Sequence, residues 1–248
     1  MVTLGDTGRG VSAAAASGGH FRHVALSKLT MHADPTQGHL FAPVTVLPHG
    51  LVYRRDVLTR AEEASLLREF ATLPFREARF REYTARRRVV RFHAPERAAA
   101  SEAGIEAEVP SLLLPPFMIA LRRRVAAWSS RVIATTDVAP PARLSPAAFV
   151  HALVSEYRPG TPIGWHRDKS EYGIVVGLSL AHRATMRFRP AADAKHRIAR
   201  NIVSLELEPR SAYMMQGPIR WDWQHSILPT RGLRYSITFR TRVGDNTS

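Results

Sequence analysis

Beyond Ala148 the chain breaks into short strands at close intervals, and this punctuation limits what it can fold into more than any other feature. Phe149, His151, Leu153, Ser155 and Tyr157 share one face by period-two alternation, with Val150, Ala152 and Val154 on the other. Ile174 to Leu180 is a nearly continuous β-branched run. Ala184 to Arg189, Asn201 to Leu207, Ser211 to Met215, Gln224 to Leu228 and Arg234 to Thr241 follow, separated by turn residues such as Pro190, Pro209, Gly217, Pro218 and Gly232. Many short strands with such spacing predict a double-sheet jelly roll or barrel, so the fold class is α+β and mainly β. Ala191 to Ala199 reads as a hairpin loop.

The first half supplies supporting helices. Leu51-Val52-Tyr53 reads as a short strand. Thr59 followed by Glu62 is a capping box opening a helix with Leu66, Leu67, Phe70 and Leu73 on its buried side, ended by Pro74. Arg79 to Phe92 reads as a basic hairpin, in which Arg86, Arg87, Arg88 and Arg91 could hold phosphates while Phe80 or Tyr83 stacks on a base. The plain alternative is a solvated hairpin whose aromatic residues face the core. Ala94 to Pro110 is a loop or weak helix, and Asp137 to Pro146 a connecting loop. Between them Phe117, Leu121, Val125, Trp128 and Val132 recur at helical spacing and predict a helix packed on the sheet, with Arg122, Arg123 and Arg124 on its solvated side. Residues 1–45 include a Gly/Ala/Ser run with little to bury and are expected to be poorly ordered, with Met31 a plausible start of the native protein and residues 46–248 forming one domain.

The chemistry gathers around Tyr157-Arg158-Pro159-Gly160-Thr161-Pro162-Ile163-Gly164-Trp165-His166-Arg167-Asp168. His166 and Asp168 place an imidazole and a carboxylate two residues apart after a Pro/Gly-rich turn. His225, 57 residues past Asp168 (225 − 168), would complete a set of two histidines and one carboxylate, which suits non-haem iron(II) with open coordination positions. On the last strand Arg234, Ser236, Thr238 and Arg240 fall on one face and Tyr235, Ile237 and Phe239 on the other. Buried guanidiniums demand anions, and a small dicarboxylate fits them because carboxylate pairs bidentately with arginine. A zinc hydrolase would have no use for such an arginine strand. His151, His182 and His196 read as structural.

This ordered set resembles the AlkB family of 2-oxoglutarate- and iron(II)-dependent dioxygenases, over roughly Leu51 to Thr241 and most strongly from Ser155 onward. The resemblance implies a double-stranded β-helix fold, with His166, Asp168 and His225 as ligands of Fe(2+). It also implies that Arg234 with Tyr157 binds the distal carboxylate of 2-oxoglutarate, Arg240 sits near the keto-acid end, and Ser155 and Ser236 line the cosubstrate where DNA-repair members carry Asn. The implied reaction consumes O2, converts 2-oxoglutarate to succinate and carbon dioxide, and hydroxylates an N-methyl group that leaves as formaldehyde. A nucleobase substrate would be single-stranded or flipped out and stacked on a ring, for which Trp165, His166 and Trp223 are candidates. Ser170 and Glu171 follow Asp168, where relatives often have an acidic residue that reads the base.

The absence of cysteine excludes disulfides, thiolate metal sites and cysteine nucleophiles, and points to a reducing cytoplasm. No apolar run approaches the ~20 residues of a membrane span. A net charge of +14 suits a polyanionic partner, alkylated DNA or RNA, although lysine occurs only at Lys28, Lys169 and Lys195, and an arginine excess can also reflect base composition. The expectation is a monomeric demethylase of N-alkylated nucleobases. The alternatives are the same oxygenase chemistry on a protein side chain or small molecule, and an inactive basic nucleic-acid-binding protein.

Overall fold

Alternation of apolar and polar residues sorts the strands into two sheets. The computed structural model describes residues 47–80, 83–94, 111–133, 144–196 and 201–244, with the side chains of 79–80, 83–86 and 194–196 excepted. The expectations for residues 1–45, for Met31, for the 95–110 segment and for most of the loop before Pro146 lie outside the described residues.

The larger, eight-stranded sheet runs in the order β1 (Leu51–Arg54), β10 (Ala212–Met215), β7 (Tyr172–Leu180), β12 (Arg234–Arg242), β5 (Phe149–Tyr157), β3 (Tyr83–His93) and β2 (Arg76–Phe80), with β4 (Ser111–Leu113) parallel to β3. The four-stranded sheet runs β6 (Ile163–His166), β11 (Trp223–Ile227), β8 (Ala184–Pro190) and β9 (Val203–Leu207). One face of the large sheet carries two helices, α1 (Arg60–Phe70) and α2 (Pro116–Ile133), over a core that includes Phe70, Phe92, Met118, Val125, Val154, Val176, Ile237 and Phe239. Its other face meets the small sheet over Val175, Met186, Phe188, Leu205, Leu207, Met215 and Ile227. Each fully buried Phe or Leu here contributes about 1.5–3 kcal/mol of transfer free energy. The result is the expected jelly roll, and its polar pocket lies between the sheets.

The capping box forms as read: the Glu62 N–H donates to Thr59 Oγ1 at 3.2 Å and the Thr59 N–H to Glu62 Oε2 at 2.7 Å. Helix α1 stops at Phe70, earlier than Pro74 would require, because the residue before a proline avoids helical geometry and Thr72 folds its hydroxyl back onto the Glu69 carbonyl at 2.8 Å. Leu73 still packs on the core from that turn. Four other expectations are corrected. Ala191 to Ala199 is no plain loop, since Ala191–His196 forms α3, a short helix of good helix formers behind Pro190. Phe149 leaves the face of Leu153 and Ser155, because a bulge opposite Arg240 and Thr241 turns it into the helical core, against Phe239. Arg122 is buried rather than solvated and donates from Nε to the Pro146 carbonyl. The segment before His166, read as a turn, is the strand β6. A fourth helix, α4 (Pro218–Trp221), leads into β11.

Candidate active site

Four strands deliver the site. On β5, Ser155 and Tyr157 point between the sheets, and β12 lies beside it with Arg234 opposite Tyr157 and Ser236 opposite Ser155. The turn after β5 is pinned: Gly160 takes φ +79°, open to glycine at little cost, and its N–H donates to the Thr230 carbonyl at 2.7 Å. The chain then re-enters as β6, where His166 sits opposite His225 of β11. The two rings lie 4.2 Å apart between centroids. Asp168 follows on the loop, its Oδ2 3.9 Å from His225 Nε2, and one donor atom from each of the three residues falls within 4.8 Å of the others.

The tautomer of His166 is set by its surroundings. Its Nδ1 lies 2.9 Å from the Gly164 carbonyl, which can only accept, so the proton is on Nδ1 and the Nε2 lone pair is left for a metal. Burial lowers the His166 pKa against the pull of Asp168. Burial, with His166 adding to it, takes His225 down to about 3, so both rings are neutral at working pH. For Asp168 burial acts upward, but Arg240 and then the two histidines outweigh it and hold the carboxyl well below the usual range. Arg240 donates from Nη2 to Asp168 Oδ1 at 3.1 Å and from Nη1 to His151 Nδ1 at 3.3 Å. His151 can accept because burial, and then Arg240 itself, keep it neutral. An anionic and two neutral donors converging within 4.8 Å of one another can hold a divalent ion.

The cationic end of the pocket is equally built. Arg234 is 1% exposed, donates from Nε to Ser179 Oγ at 3.1 Å, and lies over the Tyr157 ring at 4.8 Å. Its Nη1 and the hydroxyl of Thr238, both on the pocket face of β12, have no hydrogen-bond partner among the described residues. A buried guanidinium nitrogen without an acceptor is costly, and a dicarboxylate would supply the missing oxygens. The Tyr157 hydroxyl receives hydrogen bonds from Arg87 and, at 3.5 Å, from Ser236 Oγ. The residues present therefore fit both iron and 2-oxoglutarate.

Two arginines strap together the segments that carry His166, Asp168 and His225. Arg167, between His166 and Asp168, donates from Nη1 to the Trp221 carbonyl at 3.0 Å. Arg220 reaches the opposite way, from Nη2 to the Tyr172 carbonyl at 2.8 Å and to the Lys169 carbonyl. Helix α4, which carries Arg220 and Trp221, is thereby tied to the Asp168 loop just before His225.

The substrate candidates scatter. Arg87 lines the same pocket as His166, Asp168 and His225. Arg88 points to the other face of the sheet, where Nε and Nη2 each donate to Glu156 at 2.8 Å, so as a phosphate contact it is corrected to a structural ion pair. Arg91 is 3% exposed and is likewise withdrawn from any surface contact. The side chains of Tyr83, Arg86 and Phe80 lie outside the described residues. Trp165 does not enter the pocket: with His166 turned inward, its ring lies on the outer face under Arg187 and Arg189. Trp223 packs against the core between the sheets. Ser170 and Glu171 are exposed beside the loop, Glu171 4.0 Å from Lys169. Sequence reading missed Tyr213, which lines the pocket from β10. Its signal was Gly177 opposite, where a Cβ would lie 2.2 Å from the Tyr213 ring. For Arg220 no sequence signal existed.

A jelly roll holding two histidines and a carboxylate beside a buried, acceptor-seeking arginine defines the class of non-haem iron oxygenases that use a dicarboxylate cosubstrate. Residues 50–240 match the 2OG-Fe(II) oxygenase superfamily, and the chain belongs to it. Members of that superfamily are dioxygenases dependent on Fe(II), 2-oxoglutarate and O2. Among curated proteins it is 31% identical over 107 residues to the uncharacterised protein L905 of Acanthamoeba polyphaga mimivirus, matching 37% of this chain and 47% of that protein. The chain thus spans about half the length of that relative. Among solved structures OsALKBH1 superposes with a TM-score of 0.58 at 16% identity, covering 79% of this chain and 100% of the other. A prolyl hydroxylase from Trichoplax adhaerens, in complex with a hypoxia inducible factor peptide, gives 0.50 at 12% identity, covering 80% and 86%. These likenesses speak for the fold. Among the described residues no helix is long and apolar enough to cross a membrane.

Proposed function

We propose that this oxygenase is an AlkB-type demethylase acting on N-alkylated bases of DNA, with RNA as a second substrate, and that residues 46–248 form its catalytic domain. The observation that carries the reading is Arg87. It stands on β3 of the basic β2–β3 hairpin and lines the pocket of His166, Asp168 and His225. A cation held at that wall by Tyr157 suits the phosphates flanking a base inserted toward the metal. The net charge of +14 supports a polyanionic substrate.

In this reading His166 Nε2, His225 Nε2 and an Asp168 oxygen hold the iron. Arg240 fixes the second Asp168 oxygen, so one carboxylate position stays committed to the ion. Arg234, Thr238 and the Tyr157 hydroxyl bind the distal carboxylate of 2-oxoglutarate, and Ser155 and Ser236 line its length. When bound, iron and 2-oxoglutarate would activate O2, one oxygen atom going to the methyl group as its hydroxyl and the other into the succinate formed as 2-oxoglutarate loses carbon dioxide. Burial of the pocket between two sheets excludes water from that step, and the low pKa of Asp168 keeps it ionised. The hydroxymethyl product then loses formaldehyde.

Formaldehyde release from an oligonucleotide bearing an N-methylated base tests the reading, with succinate measured alongside. Formaldehyde is expected with the methylated strand and none with the unmethylated one. His166→Ala and Asp168→Ala are expected to abolish both products, and iron-dependent turnover retained in either variant would sink the site assignment. Succinate without formaldehyde from any methylated strand would instead favour oxidation of a protein side chain or small molecule, and binding without turnover an inactive nucleic-acid-binding protein.

A further inference from the structure

Most arginines that organise this fold have an acceptor of obvious purpose. Arg88 is paired with Glu156, Arg210 with Glu63 at 3.0 Å, Arg124 with Glu62 and Arg240 with Asp168, while Arg122, Arg167 and Arg220 cap backbone carbonyls. Arg187 and Arg189 differ. They stand two residues apart on the outward face of β8, about 6.6 Å along the strand. Among the described residues no carboxylate pairs with either. Their partners are neutral: Arg187 Nε donates to Ser226 Oγ at 3.2 Å, and Arg189 Nε and Nη2 donate to Gln224 Oε1 at 2.9 and 2.8 Å. Both guanidiniums lie over the Trp165 ring, 4.9 and 4.4 Å from its centroid.

Two like charges side by side on one sheet face repel, and neither Ser226 nor Gln224 relieves that repulsion. What those partners do is orient. A guanidinium carries five N–H donors, so each arginine keeps donors after these bonds, and the indole face fixes their planes with little further entropy to lose. The fold has thus built a preorganised pair of cations and left the neutralising charge to come from outside. Its position says from where. Trp165 is the residue before His166 and belongs to β6, the edge strand of the small sheet, so the patch starts on the outward side of the strand whose inward side carries His166 and runs across β11 to β8.

We infer that the outer face of the small sheet, Arg187 and Arg189 over Trp165, is a phosphate-holding track for a single nucleic-acid strand whose target base enters the pocket. This rests on the nucleic-acid reading above and adds to it a second contact, on the outer face of the small sheet, whereas Arg87 lines the pocket between the sheets. Neighbouring phosphates of one strand sit on the two guanidiniums, giving affinity without base identity.

Fluorescence anisotropy of a labelled single-stranded oligodeoxynucleotide, titrated over a range of salt, tests it with the full chain. Arg187→Gln with Arg189→Gln keeps groups able to donate to Ser226 and Gln224 but removes both charges. Affinity is expected to fall roughly tenfold or more, and the slope of log K against log salt to shrink by about 1.4, at about 0.7 per phosphate contact on a single strand. Arg187→Lys with Arg189→Lys should restore the slope. Succinate release in the absence of any oligonucleotide, and the melting temperature, should match the parent in both variants. Unchanged affinity and slope in the folded glutamine variant would overturn the track, whether or not methylated DNA is demethylated. Conversely, a parent protein whose binding depends on the pair but which releases no formaldehyde would retain the track and refute the demethylase reading.

Discussion

Arg234→Lys isolates what the guanidinium fork does. Arg234 is 1% exposed, and its Nε is committed to Ser179 while Nη1 has no acceptor among the described residues. Lysine keeps the charge but loses the planar fork, so the cosubstrate carboxylate forfeits at least one charge-assisted hydrogen bond, worth about 1.5–3 kcal/mol. At about 1.4 kcal/mol per tenfold, KM for 2-oxoglutarate should rise by about 10- to 150-fold, with affinity for Mn(II), an iron stand-in, unchanged because Arg234 makes no bond to Asp168 or the two histidines. The assay is succinate release against 2-oxoglutarate concentration. A parallel measurement needs no turnover: 2-oxoglutarate at a hundred times its dissociation constant should stabilise the parent by about 2.7 kcal/mol, a rise of about 5–10 °C for a domain of this size, and the variant at the same concentration far less. A KM within twofold of the parent, with the thermal response intact, would refute the assignment of Arg234 to the cosubstrate.

Three further outcomes are expected. Arg220→Gln should weaken Mn(II) binding about 10- to 100-fold by releasing the Asp168 loop from α4, measured by calorimetry on the metal-free protein; parent affinity would mean the strap does not position the ligands. Gly177→Ala should displace the Tyr213 ring from the pocket wall and raise KM for 2-oxoglutarate, because the new Cβ would lie 2.2 Å from that ring, and unperturbed kinetics would contradict it. Glu156 is pushed up by burial but pulled lower overall by Arg88, so its pKa in the folded state lies below the unfolded value of about 4.3; its stabilisation is present above that value and lost as pH falls through the folded one. Urea unfolding of Glu156→Gln should accordingly show a flatter acid limb than the parent.

The candidate site was legible because its residues are few, polar and locally ordered. His166, Asp168 and His225 stood out by type, and the alternation of Arg234 to Arg240 specified a polar face that the pairing of β12 with β5 places between the sheets. What stayed hidden depends on partners distant in sequence. Nothing near Arg88 announces Glu156, 68 residues away, and nothing in Arg122 announces the Pro146 carbonyl. Phe149 changed sides through one bulge, which alternation alone does not foresee, and β6 was masked by the prolines and glycines before it. Trp165 was read as facing the substrate because it adjoins the candidate ligand His166, yet on a strand adjacency means opposite faces.

The order of the large sheet has an evolutionary corollary. The β2–β3 hairpin stands at the end of the series, its strand pairing with the rest, among the described residues, made to β5 and, at β3, to short β4. The hairpin can change sequence without shifting β12, β6 or β11, which carry the candidate iron and cosubstrate residues. On the proposed function, a lineage could retarget such an enzyme from one polymer to another by editing a peripheral hairpin while the iron centre is inherited intact.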